Sequence, residues 1–533
     1  MKKMIISKFT IVALGATLLG SCAKKLDLFP TNDLTPQTTY ATPEGYKAVL
    51  AKIYGGMSTT GNAGPAGASD IQGLDEGSQA SFIRGFFNCQ ELPTDEAVVA
   101  WNDQTIQDFH ALRWTAGDPF LLGMYARPVY NITISNEYLR EATDEKIASR
   151  GITGAAATEI ANTRAEVRFL RAFNYWVMLD LFGKSTFVTE ADQIGTALPR
   201  EISREELFAY IETELKAIET ELQPARSIEY GRVDQGAAWA LLARLYLNAE
   251  VYTGTGRYAD ALTYAKKVID AGYELHPDYR EVFMADNDKA ANEFMYVINC
   301  DGLRTQSYGN TTFFIHAAAG DNFADYGTNG GWYGYRATAA LTNKFADLSG
   351  NTDERAMFSN LSNATINALS DFNQGVWVRK YVNIRSDGGQ VSDVNREFSD
   401  VDFPVFRLSE MILIYAEAHV RGGGGDLTTA LAQLNRIRFR AYGQSYGPND
   451  VGRILSSDLN LQFILDERAR ELFWEGHRRT DLVRYRQLTT GTYLWPWKGG
   501  VASGTAVDEK FNLFPIPATN RTANPNLSQN TGY

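Results

Sequence analysis

The segment at residues 459–485, LNLQFILDERARELFWEGHRRTDLVRY, constrains the fold of this chain more than any other, because it combines a long apolar face with a dense series of charges. Its apolar residues recur with the period of an α-helix, and the face that they form holds Leu465, Ala469, Leu472, Phe473 and Gly476. The pattern predicts one long central helix whose apolar face lies in the protein core.

The acidic residues of the same segment are four positions apart, at Glu467, Glu471 and Glu475. Like charges at this spacing destabilise an isolated helix by roughly a few tenths of a kcal/mol per pair, so cationic side chains should lie across them. The candidate cations are Arg407, Arg436, Arg438 and Arg440. We interpret the acidic residues as one side of a structural ion-pair ladder between helices, and a catalytic carboxylate cluster is the alternative.

The composition is that of a large folded protein, and it excludes several classes of function. Of the 533 residues, 44% are hydrophobic and 12% aromatic, so the chain can bury an extensive core. A net charge of −12 without a basic cluster argues against a nucleic-acid partner, which needs a concentrated basic surface. No pair among the five His has the spacing of a zinc helix, so we predict no metal and no cofactor. Cys89 and Cys300 either bridge each other or lie in the core as small apolar side chains.

The N-terminus has the features of a secretory signal. Lys2 and Lys3 precede an apolar run at residues 11–19, which is about half of the ~20 residues that a membrane-spanning helix needs. Small residues then precede Cys22, an arrangement that resembles the bacterial lipobox, in which the Cys thiol receives a lipid. We predict a signal peptide at residues 1–21, a lipid anchor on Cys22, a leash at residues 22–40 and one body at residues 41–533.

Helical periodicity covers most of the body, so the predicted fold class is mainly α. Helices are predicted at residues 43–57, 125–142, 159–182, 205–222, 233–249, 258–271, 408–420 and 427–440. Two of the segments, 233–271 and 408–440, are predicted to be tetratricopeptide-like helix pairs, because short Gly-containing turns join their helices. Residues 86–101 are predicted to be irregular. The helical scaffold at about residues 41–300 and 400–533 is interrupted by a loop-rich aromatic region at about residues 301–400.

Aromatic residues in two separate loops are the strongest sign of a binding function. The first group is Trp101 with Asn102 and Asp103, and the second lies among glycines and comprises Trp332, Tyr333, Tyr335 and Arg336. Neither group has the periodicity of a buried helix face, so we predict that both lie at the surface. Sugar rings stack on such flat apolar faces while neighbouring polar groups bind their hydroxyls. The alternative is that these aromatic residues only pin the loops to the body.

Several segments together resemble the SusD/RagB family of Bacteroidetes outer-membrane lipoproteins. The most specific are ELPTDEAV, RAEVRFLRAFNYW, GRVDQGAAWALLARLYL, FPVFRLSEMILIYAEA, DERARELFWEGHRRTDLVRY and FPIPATNRTANPNLSQNTGY. The resemblance implies an α-helical body with tetratricopeptide-like pairs and loops that bind a nutrient glycan. It also implies a lipid-anchored protein at the cell surface that acts as a lid on a TonB-dependent (SusC-like) outer-membrane transporter, without catalytic activity.

Two other functions stay open at this point. Within the same family, some members capture peptides instead of glycans. From a different class, a glycoside hydrolase would need two carboxylates roughly 5 to 10 Å apart in an aromatic cleft. Asp103 and Asp321 are the candidates for such a pair, although nothing in the sequence brings them together.

Overall fold

The structure is a computed structural model that describes residues 35–62, 64–65, 69–75, 77–192, 195, 197–443 and 451–533. The predicted signal peptide, the anchor at Cys22 and the leash up to residue 34 lie outside these residues. Within the described part, no helix is both long enough and apolar enough to cross a lipid bilayer.

The described chain is mainly α-helical, as predicted. The first half contains α1 (Pro36–Thr39), α2 (Pro43–Gly55), α3 (Phe82–Gln90), α4 (Ile106–His110), α5 (Pro119–Glu141), α6 (Asp144–Ser149), α7 (Gly154–Phe182), α8 (Arg204–Ile218), α9 (Gln235–Leu247), α10 (Ala249–Thr253) and α11 (Tyr258–Asp270). The second half contains α12 (Thr311–Ala318), α13 (Ala339–Thr342), α14 (Leu408–Val420), α15 (Leu427–Tyr442), α16 (Leu461–Leu472), α17 (Arg478–Arg484) and α18 (Ala518–Ala523). Local signals fix many helix ends: Thr42 caps α2, and Gly183, at φ 74°, ends α7.

The helix pairs predicted to be tetratricopeptide-like pack in series. Helix α9 packs against α11, α11 against α14, and α14 against α15. Small residues make the close approach possible, and Ala261 and Ala265 of α11 are fully buried. The two predicted hairpins therefore form one continuous layer of helices.

The strands are short and form two-stranded antiparallel ladders that join distant parts of the chain. The pairs are β1 (Val98–Val99) with β5 (Tyr335–Arg336), β2 (Ser185–Phe187) with β3 (Arg200–Ile202), β4 (Phe294–Ile298) with β8 (Phe403–Arg407), and β6 (Phe358–Ser359) with β7 (Trp377–Val378). The pairing of β1 with β5 matters most for function, because it brings the two predicted aromatic loops together.

Two local predictions are wrong. Residues 86–101 are not wholly irregular, since α3 covers their first part and is buried along its whole length. The loop-rich region contains a buried helix, α12. In both cases apolar residues pack against partners that are distant in sequence, as Phe87 of α3 does against Phe314 of α12, and local composition does not reveal such partners. The end of the predicted leash contains α1, and Tyr40 just after it is buried against Tyr46, in line with a leash that becomes ordered as it reaches the body.

The single central helix predicted for residues 459–485 is also wrong, because α16 and α17 are separated by a break at residues 473–477. Trp474 has φ 62° and Gly476 has φ 81°, values that a continuing α-helix does not contain. Buried carboxylates hold the break: the amide of Gly476 donates to Glu91 at 2.6 Å, and the amide of Trp474 donates to Glu96 at 3.3 Å. The turn is thus fixed by a segment 385 residues earlier in the chain.

Cations lie across the acidic residues of α16 and the break. Arg407 donates through Nη1 to Oε1 of Glu471 at 2.7 Å and through Nε to Oε2 of Glu475 at 2.6 Å. Arg440 also donates to Glu471, at 2.6 Å, and Lys380 donates to Glu475 at 2.6 Å. All five side chains are buried, so the pairs form one network inside the protein.

Glu467 is paired in the same way, although not by every predicted cation. Arg438 donates to it at 2.7 Å, and so does Arg355, at 2.8 Å. Arg436 is not part of the ladder and instead donates to Gln433 at 2.7 Å. Arg355, like Lys380, comes from the loop-rich region, where no periodicity in the sequence suggested a role.

The pKa of Glu471 shows which effect dominates in this network. Burial alone would raise the pKa, but Arg440, Arg407 and Arg355 outweigh it and lower the value to about 2. The carboxylate is therefore ionised and multiply paired, which is the state expected of a structural ion pair. A general acid would instead need a raised pKa.

Candidate functional site

Trp101 and Trp332 lie side by side at the surface. The indole Nε1 of Trp101 donates to the backbone carbonyl of Trp332 at 3.0 Å. Both rings pack on Phe313, with centroid distances of 5.9 Å and 6.3 Å. Both side chains are half-buried, so each indole has one supported and one accessible part.

The β1–β5 ladder explains why these two distant residues meet. Just beyond it, the amide of Ala100 donates to the carbonyl of Gly334 at 2.8 Å. A Cβ atom on Gly334 would lie 2.1 Å from the ring of Trp101, so only glycine leaves room for the indole. The glycines of this loop therefore permit close packing as well as turns.

Tyr308 extends the aromatic surface beyond Trp332, and sequence reasoning missed it. Its ring lies 6.4 Å from that of Trp332 at an interplanar angle of 53°, and its hydroxyl donates to Glu397 at 2.5 Å. Tyr308 is half-buried and precedes Gly309, so the Gly-rich and aromatic character of residues 301–340 was the signal that could have found it. We call Trp101, Trp332 and Tyr308 the aromatic platform.

Tyr333 lies next to the platform in a strained backbone conformation. Its φ is 56°, which is uncommon for a residue with a side chain. The ring packs edge-on against Trp377 at 5.9 Å, and the hydroxyl donates to the carboxylate of Asp321. The hydrogen bond to Asp321 raises the pKa of Tyr333. Tyr333 is half-buried, and its orientation is fixed by these two contacts.

Tyr335 and Arg336 are buried, which contradicts the prediction that they lie at the surface. They form β5, whose pairing with β1 places them inside the protein. Tyr335 stacks on Phe87 at 5.3 Å. Arg336 donates to the carbonyl oxygens of three loop residues at 2.6–2.7 Å, namely Leu369, Asp371 and Gln374. Burial lowers the pKa of Arg336 to about 10. Both residues support the loops and do not face a ligand.

Polar groups border the platform on the side of Trp101. Asn102 and Asp103 are exposed. The carboxylate of Asp103 lies 3.9 Å from a guanidinium nitrogen of Arg84, a buried residue of α3. That guanidinium group lies 4.1 Å from the centroid of Phe313, and burial lowers its pKa. Its Nε has no hydrogen-bond partner in the described part of the protein. Sequence reasoning missed Arg84, because nothing in the pattern of α3 distinguishes it.

The two carboxylates considered for hydrolysis have different partners in the structure. Asp103 lies beside Arg84, and Asp321 accepts a hydrogen bond from Tyr333, so each of the two candidate carboxylates has its own partner. Over the described ranges, no cluster of three or more His, Cys, Asp or Glu could hold a metal ion. Cys89 and Cys300 are both buried as free thiols.

Comparison with known proteins identifies the family. A sequence profile described as the SusD family matches residues 329–533. The chain is 36% identical to the starch-binding protein SusD of Bacteroides thetaiotaomicron, and the alignment covers 100% of both chains. This protein belongs to the SusD family. It is also 24% identical to the SusD-like protein P2 of Formosa agariphila, over 73% of this chain and 78% of that protein.

Solved structures of SusD-like proteins share the fold. A SusD homologue from Bacteroides thetaiotaomicron superposes with a TM-score of 0.73 at 19% identity, covering 94% of this chain and 99% of the other. Surface glycan-binding protein A from the same organism, in complex with laminarihexaose, superposes with a TM-score of 0.66 at 19% identity, covering 91% of this chain and 99% of the other. The predicted SusD-like α-helical architecture is confirmed. Two of these proteins are named for binding, SusD for starch and surface glycan-binding protein A for glycans.

Proposed function

We propose that this SusD-family protein binds glycans on the aromatic platform. The observation that carries the proposal is the direct contact of Trp101 with Trp332, two half-exposed tryptophans from loops 231 residues apart. Aromatic rings bind the apolar faces of sugars, and the exposed polar groups of Asn102 and Asp103 supply partners for the hydroxyls.

We propose a starch-type α-glucan as the ligand class. The relative that is 36% identical over the full chain is named a starch-binding protein, which favours this class over others. The geometry is consistent with it, because Trp332 and Tyr308 are tilted by 53° and thus suit a bent chain of sugar rings better than a flat one.

We propose further that the protein is a lipoprotein of the outer membrane and delivers its glycan to a TonB-dependent transporter. The lipobox-like sequence that ends at Cys22 supports the anchor, and membership of the SusD family supports the partner. Purification of the tagged full-length chain from outer membranes should therefore also recover a TonB-dependent transporter. Recovery of the chain alone after mild solubilisation would contradict this part of the proposal.

Calorimetric titration of the protein with two hexasaccharides tests the ligand class. Maltohexaose presents an α-glucan and laminarihexaose a β-glucan of equal length, so the comparison separates linkage from size. We expect binding of maltohexaose and much weaker binding of laminarihexaose. Equal binding would overturn the α-glucan assignment, and the absence of binding to any glycan would overturn the proposed function.

A further inference from the structure

His316 lies on α12 directly against Trp332, and its side chain is buried. The imidazole and indole rings are stacked, with a centroid distance of 4.7 Å and an interplanar angle of 23°. The backbones are joined as well, since the amide of Trp332 donates to the carbonyl of His316 at 2.7 Å. His316 is therefore the surface on which the Trp332 ring rests.

Both ring nitrogens of His316 face backbone carbonyl oxygens. Nδ1 lies 2.9 Å from the oxygen of Gly330, and Nε2 lies 3.0 Å from the oxygen of Glu397. A carbonyl oxygen can only accept a hydrogen bond, and a neutral imidazole carries a single N–H group. In the neutral form, one of the two contacts would place a nitrogen lone pair against a carbonyl oxygen. Only the imidazolium form can donate to both.

We infer that His316 is a positioning residue for Trp332, that its fully bonded state is the imidazolium, and that glycan binding favours this protonated state. In that state the ring ties the loop of Gly330 and the loop of Glu397 to α12, so the indole of Trp332 is held in place before a sugar arrives. A ligand that stacks on an already ordered ring loses less conformational freedom on binding. The part of the inference that concerns ligand affinity rests on the proposed glycan binding.

The charged surroundings of His316 are compatible with a cation. On the loop that follows residue 390, the Glu397 carboxylate favours the imidazolium, and it accepts a hydrogen bond from Tyr308. Asp393 belongs to the same loop, where its carboxylate accepts from the amides of Glu397 and Phe398 at 3.0 Å. The Asp393 carboxylate thus orders its own loop through these hydrogen bonds. The pKa of Tyr308 is raised to about 12, so its hydroxyl stays neutral.

The other two elements around His316 present uncharged groups to it. On the side of Trp332, these are the indole ring and the carbonyl of Gly330, which also accepts from the hydroxyl of Thr328 at 3.0 Å. The remaining residues of α12, in the sequence TTFFIHAA, carry no charge. Glu397 is therefore the main charged group that acts on His316.

The direction of the pH effect follows from the burial of the ring. Burial lowers the pKa of His316, and the hydrogen bonds to Glu397 and Gly330 only partly oppose it. The proton is therefore taken up below the ordinary His value near 6.5. A ligand that favours the imidazolium must bind more tightly as the pH falls, because the coupling of proton and ligand is reciprocal.

The pH dependence of glycan affinity tests the inference. For the native protein we expect the affinity for maltohexaose to rise about three- to tenfold between pH 7.5 and pH 5, which corresponds to a ligand-induced shift of roughly half to one pKa unit. His316→Gln should bind more weakly and without this pH dependence. His419→Gln is the matched control, since His419 is a half-buried residue whose ring contacts a single carbonyl, that of Gly424, and it should keep the native profile.

A second measurement needs no glycan and separates this inference from the proposed function. In a ¹⁵N-labelled protein, the ring nitrogen of His316 that carries no proton at pH 7.5 should take one up as the pH falls to 5, so that both ring nitrogens then carry an N–H. A His316 that keeps one neutral tautomer down to pH 5 would overturn the inference, and so would a native pH dependence of affinity in His316→Gln. If the protein binds no glycan, the proposed function fails while the nitrogen titration still decides the state of His316.

Discussion

The indole N–H of Trp101 is bonded to the main chain of Trp332, so the two rings of the candidate site hold each other in register. Each ring also rests on a buried side chain, Phe313 in both cases and His316 in the case of Trp332. These contacts order the platform before a ligand binds, and protonation of His316 completes them, which favours affinity because less ordering is left to occur on binding.

Removal of both platform tryptophans should abolish most of the glycan affinity. If each stacking contact contributes on the order of 1 kcal/mol beyond buried area, Trp101→Ala combined with Trp332→Ala should weaken oligosaccharide binding by at least about tenfold. Isothermal titration measures the effect, and the helical circular-dichroism signal should stay unchanged. Trp239→Ala is the control, since Trp239 is also half-buried but lies on α9 and bonds to Glu219. Unchanged affinity in the double variant would place the site elsewhere.

Glu471→Ala should destabilise the fold without a specific effect on ligand binding. The substitution leaves the buried guanidinium groups of Arg407 and Arg440 without one of their carboxylates. Breaking such a pair typically lowers the free energy of unfolding by about 3–5 kcal/mol. Urea denaturation measures it, with Glu145→Ala on the exposed first turn of α6 as the control. Native stability combined with lost glycan binding would show that the ladder has a functional role.

Stability should be greatest in mildly acidic solution. Burial disfavours ionisation of Glu471, Glu417 and Asp95, but buried cations outweigh it and lower their pKa values to about 2. Their contribution is present above their ordinary values near 4 and is lost as the pH falls toward 2. Burial raises the pKa of Glu96 and Asp402 to about 7, so their contribution is full below their ordinary values near 4 and is lost between about pH 4 and pH 7. The two opposing effects meet near the ordinary carboxyl pKa values, so the expected maximum lies at roughly pH 4 to 5.

Thermal denaturation between pH 3 and pH 9 measures this profile. One variant distinguishes the loss of stability at low pH from the loss of stability at higher pH. Glu96 ionises in the unfolded chain at lower pH than in the folded protein, so Glu96→Gln should make the loss of stability between about pH 4 and pH 7 shallower. At low pH the melting temperature should fall as it does in the native protein, because Glu471, Glu417 and Asp95 are intact in this variant. A melting temperature that rises steadily to pH 9 in the native protein would contradict the assignment of Glu96 and Asp402.

Cys22→Ala should release the protein from the membrane. Cys22 is the cysteine that follows the cleavable apolar run, and without its thiol no lipid can be attached. Fractionation of cells that express the variant should find it in the soluble periplasmic fraction. Membrane association that survives the substitution would argue against the lipoprotein prediction.

The parts of the fold that sequence could predict are those governed by local periodicity. The four-residue spacing of Glu467, Glu471 and Glu475 indicated a helix face in need of cations, and Arg407 was identifiable as a partner because it precedes a predicted helix. Lys380 and Arg355 were not, since they come from loops whose position depends on tertiary packing. The break at Trp474 was missed for the same reason, because the amides of the break are held by carboxylates near residue 90.

The candidate site was predictable as a set of aromatic loops but not in its detail. A polar, irregular context indicated that Trp101 reaches the surface, and Gly-rich surroundings indicated the same for Trp332. Tyr335 and Arg336 follow the same Gly-rich loop, yet they are buried because their strand, β5, pairs with β1. A two-residue strand carries too little alternation to be recognised in a sequence. Sequence alone does not single out Arg84, Tyr308 or His316, because their roles depend on how the loops pack against α3 and α12.

The buried ladder has a consequence for the cooperativity of the whole chain. Arg407 bonds to Glu293 at 3.0 Å as well as to Glu471 and Glu475, and the break after α16 needs Glu91. The segment that matches the family profile, residues 329–533, thus depends on carboxylates that lie outside it. Cut off from them, that segment would lose one of the buried carboxylates that pair with Arg407 and the acceptor of the Gly476 amide. The protein should therefore melt in one transition, and its C-terminal portion should not be an autonomous folding unit.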